Sequence, residues 1–193
     1  MFVDLTIKDF LAKIASKDAV PGGESVSALN GIIATALTEM VANRTIGNKK
    51  YAEVEGQMKT IATEASIIRE RLIRNSDAGN NVSSEAMISP DVAKEKVEAS
   101  MRIAEEIASV MEAIVYAAHK SDRDVLSDLC VAMLSARSCV LGALLNIRIY
   151  LVSVADETFA GRMKEKAIHL ASEAVRIENK LFDWIKAKGY QVR

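Results

Sequence analysis

Residues 97–118 read VEASMRIAEEIASVMEAIVYAA, and in them Val97, Met101, Ala104, Ala108, Met111, Val115 and Ala118 recur at alternating steps of four and three. That rhythm follows the 3.6-residue turn of an α-helix and gathers the seven side chains on one stripe. Ser89-Pro90 supplies a cap and a first-turn proline, so helix is predicted from there to about His119. Glu98 and Arg102, outside the stripe, are spaced for a favourable i,i+4 pair.

Working toward the N-terminus, Asp77 to Ser89 is rich in Asn, Ser and Gly and reads as a loop. Before it, Val54, Met58, Ile61, Ala65, Ile68 and Leu72 repeat the same stripe in a helix from about Tyr51 to Asn75. Ile46-Gly47-Asn48 breaks an earlier helix of about Glu24 to Arg44, and Thr6 can cap a short first helix ending near Ser16. Toward the C-terminus, Ser121 to Asp124 is a polar turn that leads into a strongly apolar helix. Asp156 then opens a last helix with Met163, Ala167, Leu170, Ala174, Ile177, Leu181 and Trp184 on one stripe and Gly189 as its stop. Pro21 and Pro90, the two prolines, both sit at helix starts, and no strand-like alternation competes. The fold class is all-α: an antiparallel bundle of about six helices in one domain, residues 1–193.

Half of the 193 residues are apolar, enough for one sizeable core, and 25 basic side chains balance 26 acidic ones. Such a balance argues against nucleic acid or an anionic membrane as partner, so an anionic ligand would be held by a local patch. Asp4 and Asp9 interrupt the first ten residues, which do not read as a signal peptide, and a cytoplasmic location is expected. Leu129 to Val154 is long enough to span a bilayer but carries Arg137, Asn146 and Arg148, so it is expected to be a buried central helix. Cys130 and Cys139 read as core residues. Asp122, Asp124 and Asp128 lack the Gly, the Asn ladder and the terminal Glu of a calcium loop, so no metal site is expected. His119 and His169 read as surface or boundary residues.

Two helices carry stripes of small residues: Ser27, Gly31, Ala34 and Thr38 in one, Ser135, Cys139, Gly142 and Asn146 in the other. Such stripes let backbones approach closely. The apolar circumference of the 129–154 helix exceeds what one bundle of this size covers, so a homodimer is predicted.

Chemistry is concentrated first in Pro21-Gly22-Gly23-Glu24-Ser25, where the glycines let the backbone bend and the following helix start offers unpaired N–H groups to an anion or a carbonyl. Together with Ala28-Leu29-Asn30-Gly31, Glu39 to Asn43, Lys49-Lys50-Tyr51, Ser127-Asp128 and Leu144 to Ile149, this segment resembles the family of formiminotetrahydrofolate cyclodeaminases and methenyltetrahydrofolate cyclohydrolases. The resemblance covers nearly the whole chain. It implies an all-helical dimer that acts on a tetrahydrofolate derivative and carries no permanently bound cofactor. On that resemblance the substrate-binding candidates are Pro21, Gly22, Gly23, Glu24, Ser25, Asn43, Lys49, Lys50, Ser127, Asn146 and Arg148, with Lys49 and Lys50 toward the anionic tail. Asn146 and Arg148 match an Asn-x-Arg/Lys signature, in which a buried arginine would need an acidic partner.

Two departures stand out. The family's turn is similar to Pro-Gly-Gly-Gly-Ser, and Glu24 occupies the place of the third glycine. The family's acid after the third helix, aligned without gaps from Tyr51, falls on Gly79; Asp77 takes that role if two residues are missing. Asp77 and Asp128 are therefore the catalytic candidates. Loss of the acid would instead leave a non-catalytic, repurposed helical dimer, and a helical interaction module unrelated to folate is the third reading.

Overall fold

The computed structural model describes residues 2–17, 21–75 and 88–189. Its helices are α1 (Ile7–Ile14), α2 (Gly23–Thr45), α3 (Glu55–Asn75), α4 (Pro90–Lys120), α5 (Leu126–Leu151) and α6 (Glu157–Ala187), with no strand among the described residues. Local chemistry sets most boundaries. Thr6 caps α1 by accepting from the Asp9 amide, Ser89 caps α4 through the Val92 amide, and Asp156 caps α6 through the Phe159 amide. Gly47 takes a positive φ of 78° just after α2, a conformation that costs glycine little. The expected start of α3 at Tyr51 is corrected: Lys49–Val54 forms a 3-10 helix kinked at Tyr51, and the α-helix begins at Glu55. Another short 3-10 turn, Arg123–Val125, precedes α5.

Contacts fix the helix directions. Gly31 of α2 lies against Cys139 of α5, and Ser27 lies against Gly142, so numbers rise on one helix as they fall on the other. The Lys94–Asp156, Glu105–Lys166 and Glu112–Arg176 ion pairs rise together on α4 and α6. Hence α2, α4 and α6 run one way and α3 and α5 return. The two small-residue stripes face each other, and α2 and α5 form one of the most extensive helix pairs, beside α4 with α5.

The core runs through all five long helices, with Met58, Leu72, Ile107, Met111, Ile114, Leu129, Met133, Ile147 and Leu181 fully enclosed. The predicted stripes are its inner faces. The 129–154 helix is buried only in part: α5 packs on α4, α2 and α6 but leaves Val131, Leu134, Leu145, Ile149 and Val152 at least half exposed, an uncovered apolar arc of the kind its circumference predicts. At 3.6 residues per turn these five fall within an arc of roughly 60°. Both α2 and α5 are long and apolar enough to cross a membrane by length and composition alone. Arg137 of α5 pairs at 2.7 Å with the buried Glu178 of α6. No ion pair joins Glu98 to Arg102; both side chains are exposed.

Candidate functional site

The chain enters α2 through the buried Pro21 and the extended Gly22, which caps the helix without a side chain. The first helical hydrogen bond runs from the Val26 N–H to the Gly22 carbonyl at 3.0 Å. The amides of Gly23 and Glu24 consequently have no acceptor within the helix. Neither glycine has a positive φ, and a Cβ at Gly23 would meet nothing within 4 Å. The turn therefore leaves room for a side chain at Gly23. What surrounds that position is open space.

Glu24 turns from this helix start toward α5. Its carboxylate accepts a 3.2 Å hydrogen bond from the Tyr150 hydroxyl in the last turn of that helix. Burial, reinforced by the Glu24 charge, pushes the Tyr150 phenol up to about 12, so it keeps its proton throughout the neutral range. The Lys96 ammonium of α4 stands 5.6 Å from the Tyr150 ring centre.

Between α2, α3, α4 and α5 lies a recess of about 40 Å³ lined by Glu24, Ser27, Asn75, Ser100, Cys139 and Asn146 among others. It has room for roughly one to three waters. A groove of about 680 Å³ shares Glu24, Asn75 and Ser100 with it and adds Lys96, Arg102 and the Arg71–Glu106 ion pair. That volume is typical of small-molecule sites. Four helices thus bring carboxylate, amide, hydroxyl and cationic groups to one end of the bundle.

The remaining candidates divide by end. Ser25 is buried beside the turn, and Asn146 lines the recess. Arg148 is exposed and has no ion-pair partner among the described residues, so the expectation of a buried arginine is corrected. Asn43, Lys49, Lys50, Ser127 and Asp128 lie at the opposite end, where α2 finishes and α5 starts. From Asp128 to Asn146 is eighteen residues of one helix, about 27 Å at 1.5 Å per residue. One protomer therefore does not unite them. At that far end the Lys50 ammonium binds Asp122 at 2.6 Å, the Tyr51 hydroxyl donates to the same carboxylate, and Arg44 pairs with Asp124. Hydrogen bonds to Asp122 and Tyr51 raise the Lys50 pKa, and those from Lys50 and Tyr51 hold Asp122 below the usual carboxylate range. Lys50 is thus engaged by the fold itself, while Lys49 is exposed. Asp77 lies outside the described residues.

Tyr150, Lys96, Asn75 and Ser100 were not singled out by the sequence. Ser100 carries a usable signal, because it falls on the buried arc of α4 three residues after Val97 and four before Ala104. Tyr150 lies one residue beyond the Leu144–Ile149 motif.

The sequence profile described as formiminotransferase-cyclodeaminase matches residues 6–169. The chain belongs to that family. Within the formiminotransferase-cyclodeaminase family it is 28% identical over 201 residues to the methenyltetrahydrofolate cyclohydrolase of Methylorubrum extorquens, covering 95% of this chain and 97% of the relative. It is 25% identical to the formimidoyltransferase-cyclodeaminase of Mus musculus over 90% of this chain, but spans only 35% of that larger protein. Among solved structures, a formiminotetrahydrofolate cyclodeaminase from Thermotoga maritima superposes with a TM-score of 0.86 at 22% identity, covering 98% of this chain and all of that one. The helical fold of that structure is thus shared over 98% of this chain.

Proposed function

We propose that this chain is a tetrahydrofolate one-carbon enzyme of the cytoplasm and that it hydrolyses methenyltetrahydrofolate. The Methylorubrum cyclohydrolase, matched over 97% of its own length, supports that reaction over the cyclodeaminase, which the larger mouse relative's name favours. The observation that carries the site assignment is the Glu24 carboxylate, held by Tyr150 at the mouth of the recess.

On this reading the ring system lies over the Pro21–Ser25 turn, with the Gly23 and Glu24 amides facing its polar edge. Glu24 accepts one proton from the water that adds to the methenyl carbon; the carbon–nitrogen bond then breaks as the new carbinol O–H passes its proton to the departing nitrogen, giving the formyl compound and one proton for Glu24 to release. Tyr150, protonated throughout, orients the carboxylate. The groove's Lys96 and Arg102 take the anionic tail, replacing Lys49 and Lys50 in that role within one protomer. The cyclodeaminase alternative, in which a ring nitrogen displaces ammonia, requires an acid; Asp77, two residues after Asn75 in sequence, remains its candidate.

The exposed arc of α5 supports a homodimer. Burying side chains of this size contributes about 1.5–3 kcal/mol each. A two-fold axis near Ser138 would lay the start of one α5 beside the end of the other, bringing Ser127 and Asp128 of the partner subunit toward Asn146 and Arg148.

The test is a spectrophotometric assay of methenyltetrahydrofolate hydrolysis. We expect Glu24→Gln to lower kcat by about 10²–10⁴, the range for a lost general base. A parent protein that is inactive at saturating substrate, yet is stabilised against heat by folate analogues, would mark the repurposed scaffold instead.

A further inference from the structure

The recess between α2, α3, α4 and α5 differs from the adjoining groove in what it can hold. Its volume of about 40 Å³ admits roughly one to three waters and no folate ring, whereas the groove's 680 Å³ is on the scale of a small-molecule site. Glu24, Asn75 and Ser100 line both, so the carboxylate stands where the two spaces join.

Ser27, Ser100 and Asn146 line the recess, and none of their side chains hydrogen-bonds to another described residue. Elsewhere in these helices comparable side chains turn back onto their own chain. Thr35 donates to the Gly31 carbonyl, Ser121 to Ala117, Ser138 to Leu134 and Asn30 to Val26. Ser100 makes no such bond, although it is only 5% exposed. A buried polar group without any partner is costly, and native proteins satisfy nearly all of them with protein or with water. Among the described residues Arg137 Nε is the one side-chain nitrogen or oxygen both sealed from solvent and unpaired, so the Ser100 hydroxyl is still reached by water. Polar side chains converging on a space of this size are what an ordered water requires.

We propose that this recess seats the hydrolytic water and that Ser100 and Asn146 are positioning residues for the reaction, holding that water against Glu24. The assignment rests on the cyclohydrolase reading and adds the origin of its nucleophile. With the ring system over the Pro21–Ser25 turn, a lone pair of the seated water forms the bond to the methenyl carbon as one proton passes to Glu24. Ser100 and Asn146 hydrogen-bond the water and exchange no proton with it.

The test is steady-state hydrolysis of methenyltetrahydrofolate by the whole protein and its variants. Ser100→Ala removes the hydroxyl, and Asn146→Leu removes the amide at similar size. Each should lower kcat about 10–100-fold, the cost of a misplaced reactant, with KM held within about twofold. Ala143→Val narrows the recess without deleting a polar group and should do the same. Because all three act by displacing one water, Ser100→Ala combined with Ala143→Val should be no slower than the slower single variant. Melting curves guard against misfolding, and Ser100→Ala with Asn146→Leu carries the same comparison if Ala143→Val unfolds the protein. Unchanged kcat in the variants of an active parent, a loss carried by KM, or multiplied losses in the double variant would overturn the water site and leave the cyclohydrolase reading standing. A parent inactive at saturating substrate would overturn both.

Discussion

At Gly142 α2 and α5 approach closely: a Cβ there would fall 2.0 Å from Ser27 Oγ and 2.7 Å from Ser27 Cβ. Such overlap requires one helix to move. We expect Gly142→Ala to destabilise the protein by about 1–3 kcal/mol in urea melts, the usual cost of overpacking. Adding Ser27→Gly, which deletes both clashing atoms, should recover most of that loss, whereas Ser27→Ala, which keeps the Cβ, should not. Non-additivity of this kind is what a shared contact produces. The Arg137–Glu178 pair gives a residue-level test of a different sort. Glu178 is 7% exposed, and Arg137 Nε is buried without a hydrogen-bond partner. Neutralising Glu178 strands a partly desolvated guanidinium, discounted here because the Arg137 side chain is 36% exposed. Glu178→Gln should therefore cost about 1–3 kcal/mol in the same melts. An unchanged midpoint would mean that solvent already satisfies Arg137.

At the scale of the helix, caps make stability depend on pH. Asp156 accepts the Phe159 amide and pairs with Lys94, and those two partners, in that order, hold its carboxyl below the usual range. A depressed folded pKa means that the stabilisation is complete above the unfolded value of about 3.9 and disappears as pH falls through the lower folded value. Asp156→Ala should lower the melting temperature at neutral pH, and its deficit relative to the parent should shrink below about pH 4; a constant deficit would assign the effect to lost hydrogen bonding alone. These elements were legible because the stripes of α3, α4 and α6 are also their buried faces. The 3-10 entry to α3 was not, since Lys49 to Val54 has ordinary helical composition and its kink at Tyr51 belongs to a segment tied to Asp122, 71 residues away. The candidate site divides the same way. Pro21 to Ser25 and Asn146 are readable as local motifs, and Ser100 stands out on the buried arc of α4, but Tyr150 acquires meaning only when α5 brings it to Glu24. Asp128 reads as a site residue from its motif, yet α5 carries it to the other end.

At the scale of the whole molecule, that separation is what the proposed homodimer across the exposed arc of α5 would resolve. If two copies cross about Ser138, the motifs that one chain holds about 27 Å apart become neighbours across the interface, and each site takes Glu24 from one subunit and Asp128 from the other. Charged substitutions on the arc test association first. Leu145→Glu with Val131→Glu should convert a dimer to a helical monomer in sedimentation velocity, whereas a monomeric parent would remove the basis for shared sites. Complementation then tests the sharing itself. Glu24→Gln and Asp128→Asn should each be nearly inactive alone. Mixed and re-equilibrated, half the dimers become hybrids, and one of the two sites in each hybrid pairs an intact Glu24 with an intact Asp128. Activity should therefore return to about a quarter of the parent's. Two subunits with self-contained sites would show no recovery, and full activity in Asp128→Asn alone would confine the chemistry to the Glu24 end of a single chain.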